Sequence, residues 1–249
     1  MISVVILGSG NVAYHLTKAF LNTENVIVKQ LYARSVAQIQ EFQHTTSITD
    51  DISLLATADV YILAISDNAI SEVSSHLQNK FVVHTSGSVT MNSLQNSGRK
   101  GVFYPLQSFS KSKQVNFNTI PFCLEAETTK DYQLLERLAK TIGSKIFSIN
   151  SLQRSKLHVA AVFVNNFVNH MYTIGNDICD TYDVPFEVLL PLIEETSAKI
   201  SAISPKDAQT GPAKRNDTET ISKHLEMLNE SQKEVYKLIT KSIQNGEKL

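Results

Sequence analysis

The 249-residue chain contains no tryptophan and two cysteines, Cys123 and Cys179. Cysteines so far apart form neither a CxxC element nor a Cys/His cluster with metal spacing, so no metal site is expected and a reducing interior is the simplest setting. An excess of charge of one sign is also missing: 23 Lys and Arg face 24 Asp and Glu, a formal net charge of -1. Proteins that grip phosphate backbones carry a basic surplus, so nucleic acid is not expected as a partner. No apolar run approaches the roughly 20 residues that a membrane-spanning helix needs. The N-terminal Met1-Ile2-Ser3-Val4-Val5-Ile6-Leu7 has no basic segment and runs straight into glycine, so it reads as a buried strand rather than a signal peptide. These absences describe a soluble globular protein, expected in the cytoplasm.

From residue 1 to about 150, short runs rich in Val and Ile alternate with amphipathic stretches, the pattern of βαβ units around a mostly parallel sheet. Strands are expected at 2–7, 26–33, 60–65, 81–85, 101–104, 121–125 and 145–149, with a weak one at 46–49. Helical spacing occupies 12–21 and 132–142. After about Asn150 the strand signal stops. Three helical stretches follow, 152–180, 185–203 and 217–245, with a polar loop at 204–216 that carries Pro205, Gly211 and Pro212. Asp217 is placed to cap the last stretch, in which Ile221, Leu225, Leu228, Val235, Leu238 and Ile239 recur at helical spacing. The expectation is an α/β domain over 1–150 with a Rossmann-type sheet, then a smaller all-α domain over 151–249.

Only nine glycines occur in the chain, yet two fall within Gly8-Ser9-Gly10-Asn11-Val12-Ala13. This GxGxxA lies between an apolar strand and a helical stretch, with a second strand following at the expected distance, which is the context a dinucleotide-binding turn requires. Gly8 permits the tight turn, Gly10 lets backbone approach a pyrophosphate, and Ala13 is small enough for the helix to pack on the sheet. The phosphates then meet the positive N-terminus of that helix. A ligand-free glycine turn is the plainer alternative. At the end of the second strand an NAD protein usually carries Asp or Glu, whereas Leu31-Tyr32-Ala33-Arg34-Ser35 offers a guanidinium fork and a hydroxyl, which points to NADP. Two further strand ends should face the same crevice. Ser66 with Asp67, and Thr85-Ser86-Gly87, are candidates for the nicotinamide ribose, although Asp67 and Ser88 serve equally as helix caps.

The run Val83-His84-Thr85-Ser86-Gly87-Ser88, with 101–111 (GVFYPLQSFSK) and 210–217 (TGPAKRND), resembles a group of Rossmann-like NADP oxidoreductases. That group has a C-terminal helical domain of unassigned function and is similar in plan to pyrroline-5-carboxylate reductase and F420-dependent NADP oxidoreductases. The resemblance runs over nearly the whole chain and implies NADP binding by the first domain and dimerisation through the helical one. Many related sequences carry His before the Pro-Leu-Gln run where Tyr104 stands here. A phenol titrates near 10, so an acid or base role does not transfer to it directly.

The first helix of the second half carries Lys156, His158, Asn165, Asn169 and Tyr172 in an otherwise apolar stretch. At about 100° per residue, His158, Asn165 and Asn169 fall within roughly 40° of one another. In related two-domain dehydrogenases this region faces the nicotinamide. That makes His158 the candidate acid for a carbonyl or imine, Asn165 the group that holds the substrate, and Lys156 an alternative acid. Packing of His158 at a domain seam is the plainer reading. Arg215 is either an anion contact or a surface charge. The expected function is an NADP(H)-dependent oxidoreductase acting on a small carbonyl or imine. The rivals are a non-catalytic NADP(H) sensor or dimeric scaffold, and an enzyme whose redox partner is F420 or a flavin.

Overall fold

The computed structural model describes residues 1–246. Two compact units are present, Met1–Phe163 and a second that begins at Val164. The first holds an eight-stranded sheet built from β1 (Ile2–Leu7), β2 (Val26–Tyr32), β3 (Ser47–Thr49), β4 (Val60–Leu63), β5 (Val82–His84), β6 (Lys100–Pro105), β7 (Phe122–Ala126) and β8 (Ile146–Ser148). The strand order is β3-β2-β1-β4-β5-β6-β7-β8, and only the β6/β7 pair is antiparallel. Chain direction across the sheet reverses at β1, with β2 on one side and β4 on the other. In such sheets that switch point is where ligands bind, beyond the carboxyl ends of the strands.

Alternation along β1 supplies both faces of the sheet. Val4 and Ile6 join one apolar cluster with Leu16 and Phe20, whereas Val5 and Leu7 join the opposite one with Tyr61, Leu63 and Ile70. The register is level at the carboxyl ends: Tyr32, Leu7, Leu63, His84 and Val102 stand side by side across five parallel strands. The residues that follow this row are therefore delivered to one edge.

Helices α1 (Asn11–Leu21), α2 (Ile70–Ser75) and α3 (Thr129–Lys140) connect strands. A fourth, α4 (Ser151–Ala161), opens on a capping box formed by Asn150 and Gln153. It belongs to the first unit, which is why the division falls after Phe163 rather than at the change of period near Asn150. Arg154, fully buried, donates to Glu125 of β7 at 2.5 Å and to the Val89 carbonyl at 2.6 Å, while Ser151 accepts from the Met91 N–H at 2.9 Å.

The long helix expected over 152–180 is interrupted by a π-helical segment, Val162–Phe167, before α5 (Val168–Thr181). Because hydrogen bonds there run i to i+5, the α-helical count that aligned His158 with Asn165 does not apply across it. The second unit continues with α6 (Leu190–Lys199), α7 (Pro205–Ala208), α8 (Thr218–Met227) and α9 (Glu230–Gly246). Two expectations are corrected here. The loop at 204–216 contains the short α7, started by Ser204, whose hydroxyl accepts from the Asp207 N–H. The stretch 217–245 is two helices, because Leu228 is extended and Asn229 accepts from the Gln232 N–H to begin a new one. Asp217 does cap α8, accepting from the Thr220 N–H at 3.1 Å. Among the described residues no helix is long and apolar enough to cross a membrane.

Candidate active site

The level strand ends open into a cleft of about 790 Å³ in the first unit, within the usual size range for cofactor sites. Gly8 forms its floor. Its φ of +140° is one that side chains avoid, and a Cβ there would stand 2.1 Å from the Ala64 carbonyl oxygen and 3.3 Å from the Ala13 Cβ. Ala13 thus acts beneath the cleft, as packing, and does not line it. Gly10 is the N-cap of α1 in extended conformation, and nothing lies within 4 Å of where its Cβ would be. No side chain caps α1 and no acidic residue occupies its first turn. The free N–H groups and the positive end of the helix dipole therefore face an open cradle.

Around this turn, Ser9 donates its hydroxyl to Gln38 at 2.7 Å, and the Asn11 amide donates to the Phe109 carbonyl at 2.8 Å. His15 reinforces the same strap, its Nε2 donating to the Ser110 carbonyl at 2.8 Å. Arg34 lines the cleft beyond β2, exposed and with no hydrogen bond or ion pair among the described residues. Ser35 starts the short 3-10 turn Val36–Gln38 and is exposed outside the cleft wall.

The segments after β4 and β5 form the next part of the wall. Ser66, Asp67, Thr85, Ser86 and Gly87 all line it. Asp67 is bound by the Ser88 hydroxyl, and the Ser86 hydroxyl accepts from the N–H groups of Ser88 and Val89 at 3.1 and 3.0 Å. Beneath this loop His84 is fully buried, and its Nδ1 accepts from the Ser86 N–H at 3.2 Å. Burial, followed by the charge of Arg154, lowers its pKa to about 4.

Tyr104, at the end of β6, and His158, one turn beyond Arg154 on α4, complete the cleft. The Tyr104 hydroxyl lies 3.2 Å from His158 Nδ1. Burial pushes the phenol up to about 12, with the neighbouring Cys123 acting in the same direction. Gly87 wedges against the pair: a Cβ would fall 2.5 Å from His158 Nδ1 and 2.8 Å from the Tyr104 hydroxyl. Of the three residues considered for chemistry, His158 lines this cleft. Lys156 is exposed on α4, and Asn165 is exposed in the second unit. Arg215, also in the second unit, is exposed and lies 3.9 Å from Asp217.

Residues 3–87 match a family model described as NADP oxidoreductase, coenzyme F420-dependent, and residues 120–243 match a domain of unknown function, DUF2520. A structure described as a candidate NADP oxidoreductase from Bacteroides fragilis is 37% identical, with 98% of each chain covered and a TM-score of 0.90. The chain belongs to this NADP oxidoreductase family. Its fold extends further: an imine reductase from Myxococcus stipitatus in complex with NADP+ is 13% identical over 99% of this chain and 94% of that one, TM-score 0.70. A pyrroline-5-carboxylate reductase from Coxiella burnetii is 16% identical over 99% and 97%, TM-score 0.58. No curated protein matches the chain.

NADP is the cofactor of the family, and the residues present fit it. The glycine cradle with its uncapped helix end suits a pyrophosphate, and the exposed Arg34 fork suits a further phosphate. Sequence reasoning passed over Tyr32, Gln38, Gln107 and Phe109, all of which line the cleft. Gln107 and Phe109 lie in the very segment that carried the family resemblance, and that was the available signal.

Proposed function

We propose that the protein is an NADP(H)-dependent oxidoreductase that reduces a small carbonyl or imine compound in the cleft of its first unit. The observation that carries this reading is that a phenol–imidazole pair, Tyr104 and His158, lines the same cleft as the glycine turn and Arg34. Bound NADPH supplies hydride. The backbone N–H groups opening α1 hold the pyrophosphate, and Arg34 holds the 2′-phosphate. Ser66, Asp67, Thr85, Ser86 and Gly87 wall the nicotinamide ribose, and His158 delivers a proton to the substrate oxygen or nitrogen. The fold shared with an imine reductase and a pyrroline-5-carboxylate reductase supports the carbonyl or imine class.

The second unit serves as a homodimerisation module in this reading. Of its described residues only Cys179 is buried, while Val164, Val188, Leu192, Met227 and Leu238 are all more than 60% exposed. Apolar surface on that scale is characteristic of an interface. Sedimentation should therefore give the mass of a dimer.

The deciding experiment is a paired titration with NADPH and NADH, read by direct excitation of the nicotinamide because the protein has no tryptophan. NADPH should bind selectively, and Arg34→Ala should weaken it roughly 10- to 100-fold while leaving NADH unchanged. Keto acids, imines, aldehydes and coenzyme F420 are then screened for NADPH oxidation. Failure of both nicotinamides to bind overturns the reading. Binding without turnover of any compound supports the sensor instead.

A further inference from the structure

Tyr104 and His158 come from β6 and α4, 54 residues apart in the chain, and meet at 3.2 Å between the phenol oxygen and Nδ1. Their rings lie edge to face, 6.3 Å between centroids. Gly87 occupies the remaining side so closely that there is no room even for a methyl group beside the hydrogen bond. Arg154, locked onto Glu125 and the Val89 carbonyl one turn earlier, fixes the helix that presents the imidazole. The contact is therefore built from three elements of the first unit.

Two proton arrangements are possible for a neutral imidazole, and hydrogen-bond satisfaction separates them. If Nδ1–H donated to the phenol oxygen, the half-buried Tyr104 O–H would need a second acceptor. Among the described residues its hydroxyl makes no hydrogen bond except to His158, and a buried donor left unpaired is costly. If the phenol donates to Nδ1, its one proton is used, and Nε2–H remains on a ring that lines the cleft. The phenol is held protonated by burial far above neutrality, so this donor persists over the working pH range.

We propose that Tyr104 is a positioning residue for His158: its phenol donates to Nδ1, fixes the neutral ring in one orientation, and leaves Nε2–H as the ring's only proton. This rests on the reading of His158 as the proton donor. When Nε2–H passes to the substrate, the phenol proton moves onto Nδ1, so the imidazole stays neutral and the phenolate left behind is reprotonated from the cleft; the hydroxyl acts only through His158.

The test is a long-range nitrogen–proton correlation spectrum of the full-length protein labelled with 15N-histidine, recorded at pH 8 with NADP+ present. His158→Gln identifies the His158 signals among the seven histidines. The expected result is a protonated Nε2 and a bare Nδ1 in the wild type, with that preference lost in Tyr104→Phe. A protonated Nδ1 in the wild type overturns the proposal by itself, whatever the variant does. An unchanged tautomer in Tyr104→Phe overturns it too. Failure of the parent reading shows elsewhere, as His158→Gln turning over substrate at the wild-type rate.

Discussion

His84 makes the protein's stability depend on pH in a window that its position defines. The ring is fully buried at the end of β5, accepts from the Ser86 N–H through Nδ1, and has its pKa lowered from 6.5 to about 4 by burial and then by the charge of Arg154. The proton of the neutral ring sits on Nε2, which makes no hydrogen bond of good geometry, only a looser approach to the Thr90 backbone. In the unfolded chain the ring takes up a proton near pH 6.5, but in the folded protein only near pH 4. Between these values the unfolded state binds more protons, so stability falls as pH is lowered through the window. The contribution is fully present above pH 6.5 and exhausted below about 4. A displacement of that size corresponds to about 3 kcal/mol, with no discount for solvent screening because the ring is not exposed. The assay is urea unfolding at steps from pH 7.5 to 4, comparing wild type with His84→Gln, which cannot titrate. Carboxylates titrate alike in both proteins, so the difference between the two stability curves isolates the histidine. That difference should shrink by about 3 kcal/mol against the wild type as pH falls. Parallel curves would refute the reasoning. Because the same protonation removes the acceptor for the Ser86 N–H, NADPH affinity should decline over the same window in the wild type alone.

Further outcomes follow from particular contacts. Gly8→Ala should lose about 2–5 kcal/mol through a strained φ and a clash with the Ala64 carbonyl, together with NADPH binding; a wild-type melting temperature would contradict the geometry. Arg154→Leu removes the ion-pair partner of the part-buried Glu125, which keeps only the Ser151 hydroxyl, and should cost about 3 kcal/mol, visible as a large drop in thermal midpoint and a freed α4 in hydrogen exchange. His158→Ala should lower turnover about 100-fold or more while NADPH titrates as in the wild type, and equal turnover removes it from the mechanism.

Much of the first unit was legible because its signals are local. The short Val- and Ile-rich runs marked the strands of the sheet, and the glycine turn marked the tight bend at Gly8, whose φ is one that side chains avoid. The weak run at 46–49 also forms a strand, added at the sheet edge beside β2. Helical period was a poorer guide past Ala161. The π segment at Val162–Phe167 and the break at Leu228 leave no mark on a simple apolar count, because a single residue added to a turn or a single extended residue barely disturbs it.

What the sequence alone determined is the α/β class, the glycine turn, and the charge that follows β2 at Arg34. Each depends on neighbours in the chain and on backbone sterics that any surroundings would preserve. The tertiary structure decided which side chains share the cleft. A level register across five strands sets the ends of β2, β1, β4 and β5 in one row, and a buried arginine pinned by Glu125 carries His158 to Tyr104. Such meetings join residues dozens of positions apart, and spacing along a chain holds no record of them until the sheet has formed and the helix has docked on it.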